Sequence, residues 1–365
     1  MLALQAFTPK ALSSALDGRV TEEEARKIVA AVHRGVPLEQ VAPAGVRRAT
    51  LEAARARATV PTLEVRAVRS SGLDPFVKLA LGTGDGHVVE AVRIPLERAG
   101  RFSACVSSQV GCALACAFCA TGRLGLSRNL ETWEIVEQVR MVRSTLAGPS
   151  GRANPPGCLE GPWVVPGRVH GVVFQGMGEP LANADRVFEA IRVLCDPCAL
   201  AIDARAMTVC TSGLPAGIRR LARELPRVRL GVSIASARAD VRRRLMPIDE
   251  AHPLEDVVDA VEEHARVTGL APMWAVTPLG GVSDTDADAA ALGDLARRFA
   301  ARTGIRPRVS VVPYNAIDEE GRDPFRRGDV ARFVAALRAS GVRPHLRYSG
   351  GADVAAACGQ LAARA

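Results

Sequence analysis

The chain has 365 residues, 48% of them hydrophobic and 24% charged, and carries a formal net charge of +8. That is enough apolar material for one large domain with a small accessory one. No run of 18 apolar residues occurs, which excludes a helical membrane span, and the N-terminus lacks the basic stretch and apolar core of a secretory leader, so a cytoplasmic location is expected.

Residues 1–62 read as a helical accessory domain. Thr21, followed by Glu22, Glu23 and Glu24, offers a helix cap with first-turn acids, and Ile28, Val29 and Val32 follow at helical spacing. The character changes over 63–101. Leu63–Val68 alternates, Phe76–Leu81 is apolar apart from Lys78, Gly82–Gly86 reads as a tight turn and His87–Ile94 as a strand, which predicts a β-hairpin extension.

Over 102–345 a short apolar run, a turn and an amphipathic helix recur. The pairs are Ser103–Ser107 with Thr132–Leu146, Val169–Phe174 with Asn183–Leu194, and Ala206–Cys210 with Ala216–Arg223. Leu230–Ile234 with Asp240–Leu245, Pro272–Thr277 with Asp284–Ala301, and Val309–Val312 with Asp329–Ser340 complete the series. Such alternation predicts an α/β fold with βα units around a parallel sheet. Six units without a Gly-rich dinucleotide fingerprint fit a partial or full (β/α) barrel better than an open doubly wound sheet. Residues 147–168, rich in Pro and Gly, read as a long loop between the first two units, and 346–365 form a C-terminal segment.

Nine cysteines are many for a chain expected in a reducing compartment, and four crowd between Cys105 and Cys119. There they read as metal ligands or catalytic thiols rather than disulfides. Cys112, Cys116 and Cys119 form a CxxxCxxC. Three thiolates at this spacing can ligate three irons of a 4Fe-4S cluster from one loop, leaving the fourth iron free for the amino and carboxylate groups of S-adenosylmethionine (SAM). A zinc site would need a fourth ligand, and the next histidine is His170. The motif, with Phe118 before its last cysteine, resembles that of the radical SAM enzymes. Gln175-Gly-Met-Gly-Glu-Pro180 follows an expected strand, where glycines let backbone approach a ligand and Glu179 can accept from the SAM ammonium.

The surrounding residues are more specific. Cys105-Val-Ser-Ser-Gln-Val-Gly-Cys112, Cys119-Ala-Thr-Gly122, Arg128-Asn-Leu130, Gly176-Met-Gly-Glu-Pro180 and Thr211-Ser-Gly213 resemble the RlmN/Cfr family of RNA adenosine methyltransferases. So do Val89–Pro95, Arg244-Leu-Met-Pro-Ile248, Pro313-Tyr-Asn315 and Ala357-Cys-Gly-Gln-Leu361, and the likeness runs from about residue 77 to the C-terminus. The resemblance implies methylation of carbon 2 or carbon 8 of an adenosine in rRNA or tRNA, with two SAM molecules per turnover. Cys358 would take a methyl group from one SAM. A radical made from the second, on the cluster, would remove hydrogen from that methyl, and the carbon would add to the adenine. Cys105 would then attack the sulfur of Cys358, releasing the product and leaving a transient disulfide. Glu90 occupies the place of the proton acceptor. A reducing donor such as flavodoxin or ferredoxin, RNA as partner, no membrane and a monomeric state are the accompanying expectations.

SAM contacts carry over to Gly178, Glu179, Ser233 and Asn315. The chain departs from the family at Ile234 and Ala235, which follow Ser233 where a leucine and a histidine are usual, and at Cys210, where serine is usual. The segment Arg347–Asp353 lacks a second arginine and one aspartate. These departures leave two rival readings: the same two-cysteine chemistry on a non-RNA substrate, or a non-catalytic iron–sulfur RNA-binding protein. Outside the site, Cys195-Asp-Pro-Cys198 and Cys158 read as incidental, Trp133 and Trp163 as packing residues, and Arg242–Arg244 as a solvated helix face. The positive charge favours a polyanionic partner only weakly, since the chain is Arg-rich and Lys-poor throughout.

Overall fold

A computed structural model describes residues 1–147, 161–317 and 323–362. Cys158 and most of the Pro/Gly-rich loop lie outside the described residues. The first sixty residues fold as α1 (Pro9–Ala15), α2 (Glu22–His33) and α3 (Arg48–Arg57), around a core of their own that includes Leu4, Leu12, Leu16, Ile28, Val29 and Val32. The cap expected before α2 is present: the Thr21 hydroxyl accepts from the Glu24 N–H, and the Glu24 carboxylate accepts from the Thr21 N–H. Glu24 also receives Arg47 at 2.8 Å, and this guanidinium holds its carboxyl far below the usual range.

Among the described residues the central sheet has ten strands, and their spatial order follows the chain. They are β1 (Glu64–Ser70), β2 (Val77–Gly82), β3 (Val88–Pro95), β4 (Arg101–Cys105), β5 (Arg168–Phe174), β6 (Met207–Thr211), β7 (Arg229–Ser233), β8 (Met273–Val276), β9 (Arg308–Val311) and β10 (His345–Leu346). From β4 to β10 every neighbour is parallel. This part is a partial (β/α) barrel, with β10 at one edge. The other edge is not a two-stranded hairpin: β1, β2 and β3 form an antiparallel meander, and β3 pairs with β4, setting Val92 opposite Cys105. All six residues of β2 are buried, as a strand covered on both faces requires.

The returning helices are α4 (Thr132–Ser144), α5 (Ala184–Cys195), α6 (Pro215–Glu224), α7 (Ala239–Leu245), α8 (Leu254–Thr268), α9 (Asp286–Thr303) and α10 (Val330–Ala339). The sequence reading assigned the crossover after β7 to α7 alone. The fifteen-residue α8 covers the sheet there through Val257, Val258 and Val261, while α7 is a short turn at the strand ends. Trp133 and Trp163 pack against the main core, as expected. No helix among the described residues is long and apolar enough to cross a membrane.

Two histidines are buried without a hydrogen-bond partner on either ring nitrogen: His33 on α2 and His264 on α8. Burial, assisted by Arg140 and Arg143, pushes His33 down to about 3, and burial alone pushes His264 to about 4. Both are neutral when folded but protonate near 6.5 when unfolded. Their stability contribution is complete above that value and is lost as pH falls toward 4 and 3. The melting temperature should therefore fall between pH 7 and pH 4, and fall less steeply in His33→Leu/His264→Leu. An equal slope in both proteins would contradict this assignment.

Candidate active site

The cysteine loop springs from a two-stranded ribbon, Gln109–Cys112 paired with Gly125–Asn129. Gly111 lies at φ +76, and a Cβ there would sit 1.8 Å from the Gly125 carbonyl oxygen, so no other residue lets the ribbon close. The loop then turns through Ala115 in the left-handed region, and Cys112, Cys116, Phe118 and Cys119 all reach one cavity at the C-terminal ends of the strands. This is the face on which (β/α) barrels build their sites.

The Gly-Met-Gly-Glu-Pro segment after β5 zips onto the residues after β4. Ser108 N–H donates to the Met177 carbonyl at 2.8 Å, Met177 N–H to the Ser107 hydroxyl at 2.9 Å and Glu179 N–H to Gln109 Oε1 at 2.8 Å. Gly178, at φ +92, is pressed so closely on Gln109 that a Cβ would lie 2.5 Å from the glutamine's own. Glu179 is thereby sunk in the cavity wall, its carboxylate accepting from Leu181 N–H at 3.0 Å and Ser212 N–H at 2.8 Å. Burial outweighs these bonds and raises its carboxyl to about 7. Such a group gains most from a cation that replaces lost water.

Burial likewise raises Cys112 to about 11 and Cys116 to about 12. No three His, Cys, Asp or Glu side chains among the described residues converge enough to share a single ion. A cuboidal cluster asks for something different: each thiolate meets its own iron, so the sulfurs are spread around one loop. The donor set of three sulfurs beside a buried carboxylate fits a cluster with SAM on its open corner, not a four-ligand zinc site.

Across the cavity lie three further thiols, Cys105, Cys210 and Cys358, with the guanidinium of Arg347. Burial pushes Cys105 and Cys210 to about 12, and the neighbouring thiols add to the rise at both while Arg347 opposes it. Arg347 is in turn raised, first by Cys358. Its Nη1 donates to Gln175 Oε1 at 3.2 Å, the same oxygen that Cys210 Sγ approaches at 3.6 Å.

The tail carrying Cys358 is stitched to the cysteine loop. Ala120 N–H donates to the Gly359 carbonyl at 2.8 Å and the Thr121 hydroxyl to the Leu361 carbonyl at 2.6 Å. Asn315 Nδ2 donates to the Cys358 carbonyl at 3.2 Å, and Gln360 Nε2 to the Ala316 carbonyl at 2.9 Å. The residues just after Cys119 thus hold the residues just after Cys358, and the Cys358 thiol faces the same cavity as the cysteine loop.

No protein-family model matches the chain. Among curated proteins it is 57% identical over 355 residues, 93% of this chain and 87% of the other, to a protein of Sorangium cellulosum described as a probable RNA methyltransferase. It is 39% identical over 290 residues, 80% of this chain and 77% of the other, to the dual-specificity RNA methyltransferase RlmN of Syntrophobacter fumaroxidans. A crystal structure of a radical SAM methyltransferase from Sphaerobacter thermophilus matches over the full length of both chains, with a TM-score of 0.83 and 31% identity. The chain belongs to the RlmN family of radical SAM RNA methyltransferases. It is an enzyme, and its fold is that of the family.

Not every residue expected in this RlmN-type site reaches the cavity. Cys112, Cys116, Cys119, Gly178, Glu179, Cys210, Ser233, Asn315, Cys105 and Cys358 line it. Ile234 is fully buried behind the wall, and Ala235, at φ 54, packs in a buried cluster with Cys116 and Met246 beside the cysteine loop rather than lining the cavity. Their neighbour Arg242 corrects the sequence reading. Its side chain is fully buried rather than solvated, and it gathers the carbonyls of Ser212, Ser233 and Ile234, with Asp249 at 2.8 Å. Only Arg243 and Arg244 of that run are exposed. Cys195 ends α5, and Cys198 packs toward the N-terminal module, away from the cavity.

Glu90 is also off the cavity wall. It is fully buried behind the tail, with Lys78 Nζ at 3.1 Å from Oε1 and the Ala362 N–H donating to Oε2 at 2.9 Å. The sequence reading assigned no role to Lys78, placed Arg242 on a solvated helix face and named Arg347 only as part of the divergent tail segment. The available signal was a single lysine inside an otherwise apolar strand.

Proposed function

We propose that this RlmN-family enzyme methylates carbon 2 or carbon 8 of an adenosine in RNA, with Cys358 as methyl carrier and Cys105 as resolving thiol. The observation that carries the reading is that one cavity brings the three loop cysteines together with Cys105 and Cys358, which lie far apart in the chain. Cys112, Cys116 and Cys119 would hold a 4Fe-4S cluster, and Glu179 would receive the amino group of SAM beside it. Bound there and reduced by a flavodoxin- or ferredoxin-type donor, the pair would supply a carbon radical able to take hydrogen from a methyl group.

The protein's own part follows from its side chains. The Cys358 thiol accepts a methyl group by displacement and presents the S-methyl to the cavity. Arg347 lies beside Cys358 at the cavity wall. Once the carbon has added to the base, the ring hydrogen would leave as a proton to Glu90 and the odd electron of the adduct would pass to an acceptor that the cluster could supply. Cys105 then attacks Cys358 Sγ: the S–S bond forms as the sulfur–carbon bond breaks, and the carbon keeps the bonding pair and takes the Cys105 proton to become the methyl group. The adenosine must leave its stack to reach Cys358, which suits a loop rather than a duplex. The curated relatives, both described as RNA methyltransferases, favour RNA over the non-RNA alternative.

The carrier step is tested without RNA. Incubation of reconstituted enzyme with methyl-labelled SAM, followed by peptide mass analysis, should place one methyl on the peptide containing Cys358. Label on Cys105 or Cys210 instead would overturn the assignment.

A second expectation concerns pH. The Glu179 carboxyl, raised to about 7 by burial, must be ionised to pair with an ammonium. As pH falls through that value the protonated form competes with ligand, so SAM affinity should fall from pH 8 to pH 6. Calorimetry on the reconstituted protein should give this dependence in the wild type and lose it in Glu179→Gln. An identical pH dependence in both would remove Glu179 from the SAM site.

A further inference from the structure

The tail that carries Cys358 is tied at two points to one buried ion pair. Lys78 Nζ donates to the Ala355 carbonyl at 3.2 Å and stands 3.1 Å from Glu90 Oε1, while Glu90 Oε2 receives the Ala362 N–H at 2.9 Å. The two anchors bracket Cys358. Both side chains are almost wholly removed from water, 3% and 0% exposed. A lysine there is expensive for a strand that could be filled by leucine, since each buried charge forfeits its hydration. Glu90 is further fixed from behind, where its carbonyl accepts from the Ser107 hydroxyl at 2.7 Å.

We propose that Lys78 is a positioning residue for the methyl-transfer reaction, clamping the Cys358 tail against Glu90. This rests on the reading of Cys358 as carrier. Lys78 holds the tail at Ala355 and Glu90 holds it at Ala362, so loss of either side chain should loosen the same stretch around Cys358.

Among the described residues Glu90 is ion-paired with Lys78, while Glu134 and Glu137 on α4 are engaged by Arg128 and Arg140.

The test uses the full reconstituted enzyme and three variants, Lys78→Met, Lys78→Arg and Glu90→Gln. Hydrogen exchange over residues 355–362 should accelerate about tenfold or more in Lys78→Met and in Glu90→Gln, with barrel-core peptides unchanged. Combining the two substitutions should add little to either alone, because they break the same clamp. Single-turnover nucleoside methylation at saturating substrate should slow about tenfold or more in Lys78→Met with iron content unchanged, and Lys78→Arg, which keeps the donor and the charge, should restore most of both the rate and the slow tail exchange.

Unchanged tail exchange in both single variants, or no rescue by Lys78→Arg, would overturn the proposal. Should Lys78→Met not fold, Glu90→Gln and Lys78→Arg decide it by the exchange measurement. Tail exchange needs no RNA, so failure of the RNA reading would leave that result standing and is distinguishable from failure of the clamp.

Discussion

Cys358→Ala is expected to reduce methylated nucleoside to background while leaving the protein folded and its iron content unchanged. The thiol is half-buried at a cavity wall, so its removal opens no sealed void, and the tail stays anchored through the Gly359 and Leu361 carbonyls. What is lost is the thiol proposed to carry the methyl group. Cys105→Ala should fail differently. The carrier still loads and joins the base, but no neighbouring thiol resolves it, and RNA should stay covalently attached in a denaturing gel in a band removed by ribonuclease. Cys210, although in the same cavity, is not expected to substitute: Cys210→Ser should retain activity, since it restores the residue usual in the family. Loss of activity in Cys210→Ser, or resolution without Cys105, would reassign the thiols.

Arg242→Met is expected to cost about 3–5 kcal/mol in chemical denaturation, because it strands a buried Asp249 without its partner. All three nitrogens of the guanidinium donate to the protein: Asp249 at 2.8 Å, Ile234 at 2.6 Å, and Ser233 and Ser212 each at 3.0 Å. It therefore ties the ends of β6 and β7 together directly behind two residues of the cavity wall, Ser212 and Ser233. SAM affinity should fall along with stability. Arg242→Met/Asp249→Leu should regain part of the loss, since no unpaired charge remains. A loss under about 1 kcal/mol in the single variant would mean that water reaches the pair and that Arg242 is no organiser of the site.

Much of this was legible in the sequence because the chemistry is local. A CxxxCxxC is one loop, and the βα periodicity of each unit is visible within thirty residues. The Thr21 cap and the Gly-Met-Gly-Glu-Pro strand end are equally local signals. The missed parts are long-range. Arg242 sits in a run of three arginines, and only the packing of α7 against the ends of β6 and β7 distinguishes the buried one from the two exposed. Lys78 and Glu90 meet across the β2–β3 pairing, and both meet the tail some 270 residues later. The hairpin read from sequence is β2 with β3; β1 showed only as an alternating run, and its pairing onto β2 makes the meander. Ile234 and Ala235 were named from their place after Ser233 in the resemblance, and their burial behind the wall depends on packing that the sequence does not display.

The most direct test of the central claim is anaerobic incubation of the reconstituted enzyme with reductant, methyl-labelled SAM and total RNA from a strain lacking this activity, followed by mass spectrometry of the nucleosides. The account predicts labelled 2-methyladenosine or 8-methyladenosine, with deoxyadenosine formed alongside and the label absent in Cys358→Ala. Deoxyadenosine without any labelled nucleoside would contradict it, leaving the radical site but removing RNA adenosine as its substrate.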